Sequence, residues 1–170
     1  MPTRSEVVII GGGAIGLAIA LELALQDVSV TVLSRDFQEA ALHAAAGMLA
    51  PQAEQILPGP MLELCLRSRA LYPEWAAKLE SLSGINPEYW PCGIVAPLYA
   101  DNREPVPYTG SQDPTLAKHP CDRAALDALV PNLGSDVLNG WWFPEDGQVN
   151  NQTMAQALRV AVQSLGVTLH

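Results

Sequence analysis

The chain has 170 residues, 49% of them hydrophobic, which is enough to bury a core as one domain or slightly more. Its formal net charge of −9 argues against nucleic acid and against an anionic membrane surface as partners, because both require clustered Lys and Arg. Its 3 cysteines, Cys65, Cys92 and Cys121, show no C-x-x-C pairing, which argues against a disulfide scaffold or a zinc site and fits a reducing cytoplasm.

After a short lead-in over residues 1–6, four β-branched apolar residues (Val7, Val8, Ile9, Ile10) run into Gly11, Gly13 and Gly16 at G-x-G-x-x-G spacing. A glycine triad alone is weak evidence, but this one has a strand before it and an apolar helix-like segment after it. That is the context of a dinucleotide-binding βαβ unit. Gly11 permits the tight turn, Gly13 lets a pyrophosphate approach the backbone, and Gly16 lets helix and strand pack closely. A helix starting near Ala14 points its free N–H groups and the positive end of its dipole at the phosphates. Glu6, the glycines, Glu22 and Asp27 interrupt this apolar stretch, so no run reaches the roughly 18 residues a membrane span requires, and no signal-peptide pattern follows a basic start.

From Ala14 to Leu25 only Glu22 stands out from an apolar sequence, joined by Gln26 on the same face, so the helix is expected to be mostly buried. Asp27 ends it, and Ser29–Leu33 reads as a second strand parallel to the first. Where the fingerprint usually places an Asp or Glu for the ribose hydroxyls, at a spacing of about 20 residues, this chain has Ser34 followed by Arg35. Ser34 can offer one hydroxyl to the ribose, and an Arg at this point is how a 2′-phosphate is accommodated, which leaves NADP open. The run Ala44, Ala45, Ala46, Gly47 lets the backbone come close to something flat or charged, and Met48 and Leu49 supply apolar contact; the competing reading is an alanine-rich helix broken at Gly47 and Pro51.

Val7–Gly16 together with AAAGMLAPQAE (Ala44–Glu54) resemble the FAD-dependent glycine oxidases of thiamine biosynthesis, within the D-amino-acid oxidase family. The resemblance is strong over Val7–Glu54 and holds in outline over most of the chain. It implies FAD as cofactor, with Gly11, Gly13, Ala14, Ile15 and Gly16 at the pyrophosphate and Ser34 and Arg35 at the adenosine end. Leu42, His43, Ala46, Gly47 and Met48 would follow the ribityl chain to the flavin ring, with Ala50, Ala53 and Glu54 bordering the active-site mouth. Two positions depart from the family pattern. Ser34 stands where Glu is usual, and His43 stands where a small hydroxyl residue is common, which makes it a rim histidine rather than a catalytic one.

Pro58, Gly59 and Pro60 mark a loop, after which Leu64, Ser68, Leu71, Trp75, Leu79 and Leu82 form one stripe of an amphipathic helix ending at Gly84. Pro73 is expected to kink or divide that helix, and Arg67 and Arg69 to be solvated. Past Asn86 prolines crowd the chain (Pro87, Pro91, Pro97, Pro105, Pro107, Pro114, Pro120). Short strands are predicted at Gly93–Pro97 and Leu138–Phe143, with a brief helix from Asp122 to Val130 stopped by Pro131. Trp141, Trp142 and Phe143 read as sheet core and cover, and Pro144–Gln148 as a turn. Asn150 or Asn151 caps a last helix with the stripe Met154, Leu158, Ala161, Val162 and Leu165, closed by Gly166, and Val167–His170 returns as a strand to the nucleotide-binding sheet.

The expected architecture is α/β: a Rossmann-type FAD-binding βαβ unit over residues 1–85, the first part of an inserted α+β substrate domain over 86–148, and a return helix and strand over 149–170. The resemblance implies a cytoplasmic amine or amino-acid oxidase acting on glycine or a similar small amine, homo-oligomeric in its complete form. Its carboxylate-binding and catalytic residues would lie beyond residue 170, so the 170 residues alone are expected to be an inactive N-terminal fragment that binds FAD weakly or not at all. The readings left beside it are an NADP-dependent reductase domain and a noncatalytic nucleotide-binding module.

Overall fold

A computed structural model describes residues 5–99 and 116–170; Pro105, Pro107 and Pro114 lie outside the described residues. In chain order the elements are β1 (Val7–Ile10), α1 (Ala14–Ala24), β2 (Val30–Leu33), β3 (Met48–Leu49), α2 (Pro60–Ser83), β4 (Ile94–Tyr99), β5 (His119–Asp122), α3 (Arg123–Leu129), β6 (Val137–Phe143), β7 (Gly147–Gln148), α4 (Asn151–Ser164) and β8 (Thr168–Leu169). They fall into two compact units, the first made of residues 1–47, 73–89 and 149–170 and the second of 48–72 and 90–148.

In the first unit β1, β2 and β8 form a parallel sheet in the order β1-β2-β8, with Val7 opposite Val30 and Ile10 opposite Leu33. The last strand returns to this sheet, as the sequence indicated. Helix α1 packs on β2 and on α4, and the core gathers Leu17, Ala20, Leu21, Val30, Val32, Leu158, Ala161 and Val162. Asn150 caps α4, its side chain accepting hydrogen bonds from the N–H groups of Gln152 and Thr153. The expectation of a mostly buried α1 holds on one side only. Ile15 is 79% exposed, and Ile10 on the adjoining strand is 88% exposed: among the described residues β1 pairs with β2 alone and none covers that side.

In the second unit β4, β6 and β5 form an antiparallel sheet, Ile94 opposite Phe143 and His119 opposite Trp142, with α3 packed against it. Cys121, Leu126 and Val137 form its buried centre, with Val95, Leu133 and Trp142 against them, and Phe143 is buried as expected. Strand β3 pairs antiparallel with β7, which places Met48 opposite Gln148 and Leu49 opposite Gly147. The alanine run before it is therefore not a helix: only Ala41–His43 form a single 3-10 turn before the chain extends into β3.

Helix α2 runs unbroken from Pro60 to Ser83, so Pro73 does not divide it, and its buried face differs from the expected stripe. Pro60 starts the helix, where a missing N–H has no cost. The buried positions are Leu62, Ala76 and Leu79, with Leu66, Arg69 and Tyr72 half-buried between them, whereas Leu64 is 64% and Leu71 57% exposed. The apolar stripe read from Leu64 and Leu71 is thus displaced around the helix, because the inward face carries an arginine.

Candidate functional site

The loop between β1 and α1 is built almost wholly from backbone. Gly11 takes φ +115 and its N–H donates to Leu33 O at 2.8 Å, tying the turn to the neighbouring strand. Gly16 is fixed by proximity: a Cβ there would stand 1.9 Å from Gly11 O, a separation no side chain tolerates. Gly13 is the N-cap of α1; no side chain caps the helix, and its first turn holds no acidic residue. The leading amides of a helix have no intrahelical acceptor, so this terminus presents donors and a positive dipole end with no acidic residue in its first turn.

The chain after β2 folds back on this turn. The Phe37 ring and Ser34 Cβ lie 2.3 Å and 2.9 Å from where a Cβ on Gly12 would stand, and Ala40 Cβ lies 3.9 Å from the equivalent point on Gly13. Ser34 therefore sits beside the glycine turn, held by its N–H donating to His170 O at 2.7 Å. Arg35 points into solvent and pairs with Glu39 at 2.7 Å. A 2′-phosphate would have to share Arg35 with that carboxylate.

Leu42 is buried, with its carbonyl accepting from Asn151 Nδ2 at 2.7 Å. His43 is half-buried at the edge of a cavity of about 450 Å³ shared with Gln38, Gln152, Gln156 and Arg159. Its Nε2–H donates to Phe37 O at 3.0 Å, and Nδ1 lies 3.1 Å from Gln152 Oε1, so both ring nitrogens are engaged with protein atoms. Ala46 is exposed, and Met48 half-exposed. Gly47 has φ +78 and accepts at its carbonyl from Val149 N–H at 2.9 Å; a Cβ there would stand 2.0 Å from Val149 O. The bend that releases Met48 into β3 thus requires glycine for both conformation and space.

One group escaped the sequence reading. Arg69, expected in solvent, has a side chain only 10% exposed, and it reaches Asp146, which is fully buried. Its Nη1 donates to Asp146 Oδ1 at 2.5 Å and to Gln52 Oε1 at 2.7 Å, while Nη2 donates to Glu145 at 2.8 Å. Asp146 Oδ2 in turn accepts from Ala53 N–H at 2.8 Å. Burial raises the Asp146 carboxyl above its usual range, opposed by the bonds from Ala53 and Arg69. The partners lie 77 residues apart, so no local pattern could have revealed the pair.

A parallel strand, a glycine-rich turn and an uncapped helix N-terminus define a dinucleotide-binding α/β protein, and the anionic pyrophosphate of FAD suits this donor-lined terminus with no acidic residue in its first turn. The chain belongs to the family of FAD dependent oxidoreductases, whose model matches residues 6–170. It is 54% identical over 164 residues to the bifunctional protein ThiO/ThiG of a Nostoc species, covering 96% of this chain and 25% of that protein. It is 33% identical to the glycine oxidase of Geobacillus kaustophilus, covering 100% of this chain and 46% of the relative. The solved glycine oxidase of Bacillus cereus superposes with a TM-score of 0.88 at 25% identity, over 98% of this chain and 46% of that one. The chain therefore spans between a quarter and a half of the length of these relatives. Membership in an FAD family answers the NADP alternative left open by Ser34 and Arg35. Among the described residues, no helix is long and apolar enough to cross a membrane.

Proposed function

We propose that this chain supplies the FAD-binding region of a cytoplasmic glycine oxidase serving thiamine thiazole formation, converting glycine, dioxygen and water into glyoxylate, ammonia and hydrogen peroxide. The observation that carries the reading is the uncapped glycine turn before α1, followed by the segment that turns at Gly47 into Met48, in a chain similar over nearly its whole length to glycine oxidases. FAD, when bound, supplies the acceptor for the hydride removed from the amine carbon.

In this reading Gly11, Gly13, Ala14, Ile15 and Gly16 hold the pyrophosphate through backbone N–H groups, and Ser34 and Arg35 meet the adenosine end. Leu42, His43, Ala46, Gly47 and Met48 follow the ribityl chain toward the ring. His43, with both ring nitrogens engaged by protein atoms, orders the loop. Small residues at Ala50 and Ala53 leave room for a small amine. No residue of this chain is assigned to binding the substrate carboxylate. The unit of residues 1–47, 73–89 and 149–170 serves the cofactor and the unit of 48–72 and 90–148 begins the substrate domain, which moves 48–72 out of the expected 1–85 segment, in a protein that is homo-oligomeric when complete.

The test is expression from the complete gene, followed by a flavin absorbance spectrum and a peroxide assay with glycine. A yellow protein that forms glyoxylate and peroxide in equal amounts is the expected result. Failure to bind FAD would refute the cofactor assignment, and FAD binding without bleaching by glycine under anaerobic conditions would refute the substrate.

A further inference from the structure

Outside the glycine turn, the buried Arg69 cluster combines burial, charge and a defined target. Among the described residues the turn that follows Met48 has no strand partner after Leu49, yet Gln52 within it is fully buried. Its shape is closed by backbone bonds, Glu54 N–H to Ala50 O, Gln55 N–H to Gln52 O and Ile56 N–H to Pro51 O, while its anchorage to the rest of the unit comes from side chains. Asp146 accepts the Ala53 N–H, Arg69 donates to the Gln52 side-chain carbonyl, and Gln52 Nε2 donates to Ala117 O at 3.4 Å.

A salt bridge placed only for stability is a weak explanation for this cluster. Withdrawing a carboxylate and a guanidinium from water is costly, and well-packed apolar residues of similar volume would serve as well or better. What the charged pair provides that an apolar pair cannot is direction. The Asp146 carboxylate accepts from Arg69 on one side and from the turn backbone, at Ala53 and Gln52, on the other, and Arg69 Nη1 is shared between Asp146 and Gln52. Glu145 holds the outer nitrogen and stops the guanidinium from rotating. Strand β7 continues directly from Asp146 and pairs with β3, so the same short segment grips both Met48–Leu49 and the turn beyond.

We infer that Arg69 and Asp146 are positioning residues that set where the turn over Ala50–Glu54 stands behind Met48, and so set the fit of the small amine without touching the cofactor. This rests on the function proposed above, in which that turn borders the substrate. A turn displaced by about 1 Å leaves FAD seated but moves the amine carbon out of line, an error worth 10- to 100-fold in catalytic efficiency.

The experiment uses the FAD-loaded protein from the complete gene with Arg69→Lys, which keeps the charge and loses the fork, and Gln52→Met, which keeps the volume and loses the amide. FAD affinity is measured by flavin fluorescence, and glycine KM and kcat by peroxide release. The perturbation of the flavin absorbance by a carboxylate inhibitor such as glycolate is recorded for each protein. The expected result is FAD affinity within about twofold of wild type, kcat/KM lowered about 10- to 100-fold, and a weakened or shifted glycolate difference spectrum, with Gln52→Met milder than Arg69→Lys. Unchanged KM, kcat and difference spectrum in both variants would overturn the inference. So would loss of folding in both, which would make the network a requirement of the whole unit. A wild-type protein that ignores glycine would instead refute the function proposed above, which separates the two failures.

Discussion

Gly13→Ala separates the fold from its use. Gly13 has φ −86 and ψ −171, which any residue adopts, and the nearest atom to an added Cβ is Ala40 Cβ at 3.9 Å. The methyl group therefore fits the protein. Alanine is a poorer N-cap than glycine, so stability should fall by about 0.5–1 kcal/mol, or roughly 1–4 °C in Tm for a domain of this size. In the proposed cofactor placement the same methyl would stand where the pyrophosphate approaches the first-turn amides. Losing one charge-assisted N–H bond to phosphate costs about 1.5–3 kcal/mol, so FAD should bind roughly 10- to 100-fold more weakly. The assay is a flavin-fluorescence titration beside a thermal melt of the complete protein. Gly16→Ala is the contrast: its Cβ would stand 1.9 Å from Gly11 O, so both binding and folding should fail. An unchanged FAD affinity in a well-folded Gly13→Ala protein would refute the placement of the cofactor at this turn.

Gly47→Ala should cost roughly 2–4 kcal/mol, from the left-handed backbone and the 2.0 Å approach to Val149 O, and a Tm unchanged within about 2 °C would contradict it. Asn150→Ala removes the acceptor for the Gln152 and Thr153 N–H groups and should lower stability by about 1 kcal/mol in denaturant titration, with Asn150→Ser recovering most of it. The Asp146 carboxyl is raised by burial, against the Ala53 and Arg69 bonds that lower it. A pKa raised on folding adds stability that is complete below the ordinary value of 3.8 and is lost as pH climbs through the raised one. The stability of the wild type relative to Asp146→Asn should therefore shrink over that window in denaturant titrations and level off above it; a difference that grows with pH there would show the carboxyl to be lowered instead.

The parts of the fold legible in the sequence are those whose cause is local. Val7–Ile10 precede a turn that sterics reserve for glycine, and Asn150 precedes a stripe that packs where its period indicates, so both readings survive folding. The strand His119–Asp122 was missed because Pro120 breaks any alternation; it is tolerated there because, among the described residues, β5 lies at the edge of its sheet beside β6. On α2 the error has the opposite cause. Leu64 and Leu71 satisfy the helical period yet face solvent, while the inward face bears Arg69, which no hydrophobicity pattern would place inside. The candidate cofactor residues were legible as a motif, but the tie from Gly47 to Val149 across the chain was not.

These two kinds of outcome reflect two ways of holding the proposed cofactor and substrate segments. The glycine turn works by what is missing: without a Cβ at Gly16 the helix closes on Gly11, and the open N-terminus follows from that backbone path alone. Such a requirement is written in consecutive residues and tolerates almost any surroundings. The turn behind Met48 works by what is present, a guanidinium and a carboxylate brought together from positions 77 residues apart. Each of those ions would be costly if its partner were lost, so the turn's position depends on the folding of the whole second unit. The asymmetry has a physical consequence. In the proposed arrangement, substitutions in the second unit that leave the glycine turn untouched should alter the amine the turn admits before they alter the FAD it holds, because the Arg69–Asp146 pair contacts the turn behind Met48 directly, whereas the path of the glycine turn is set by its own backbone.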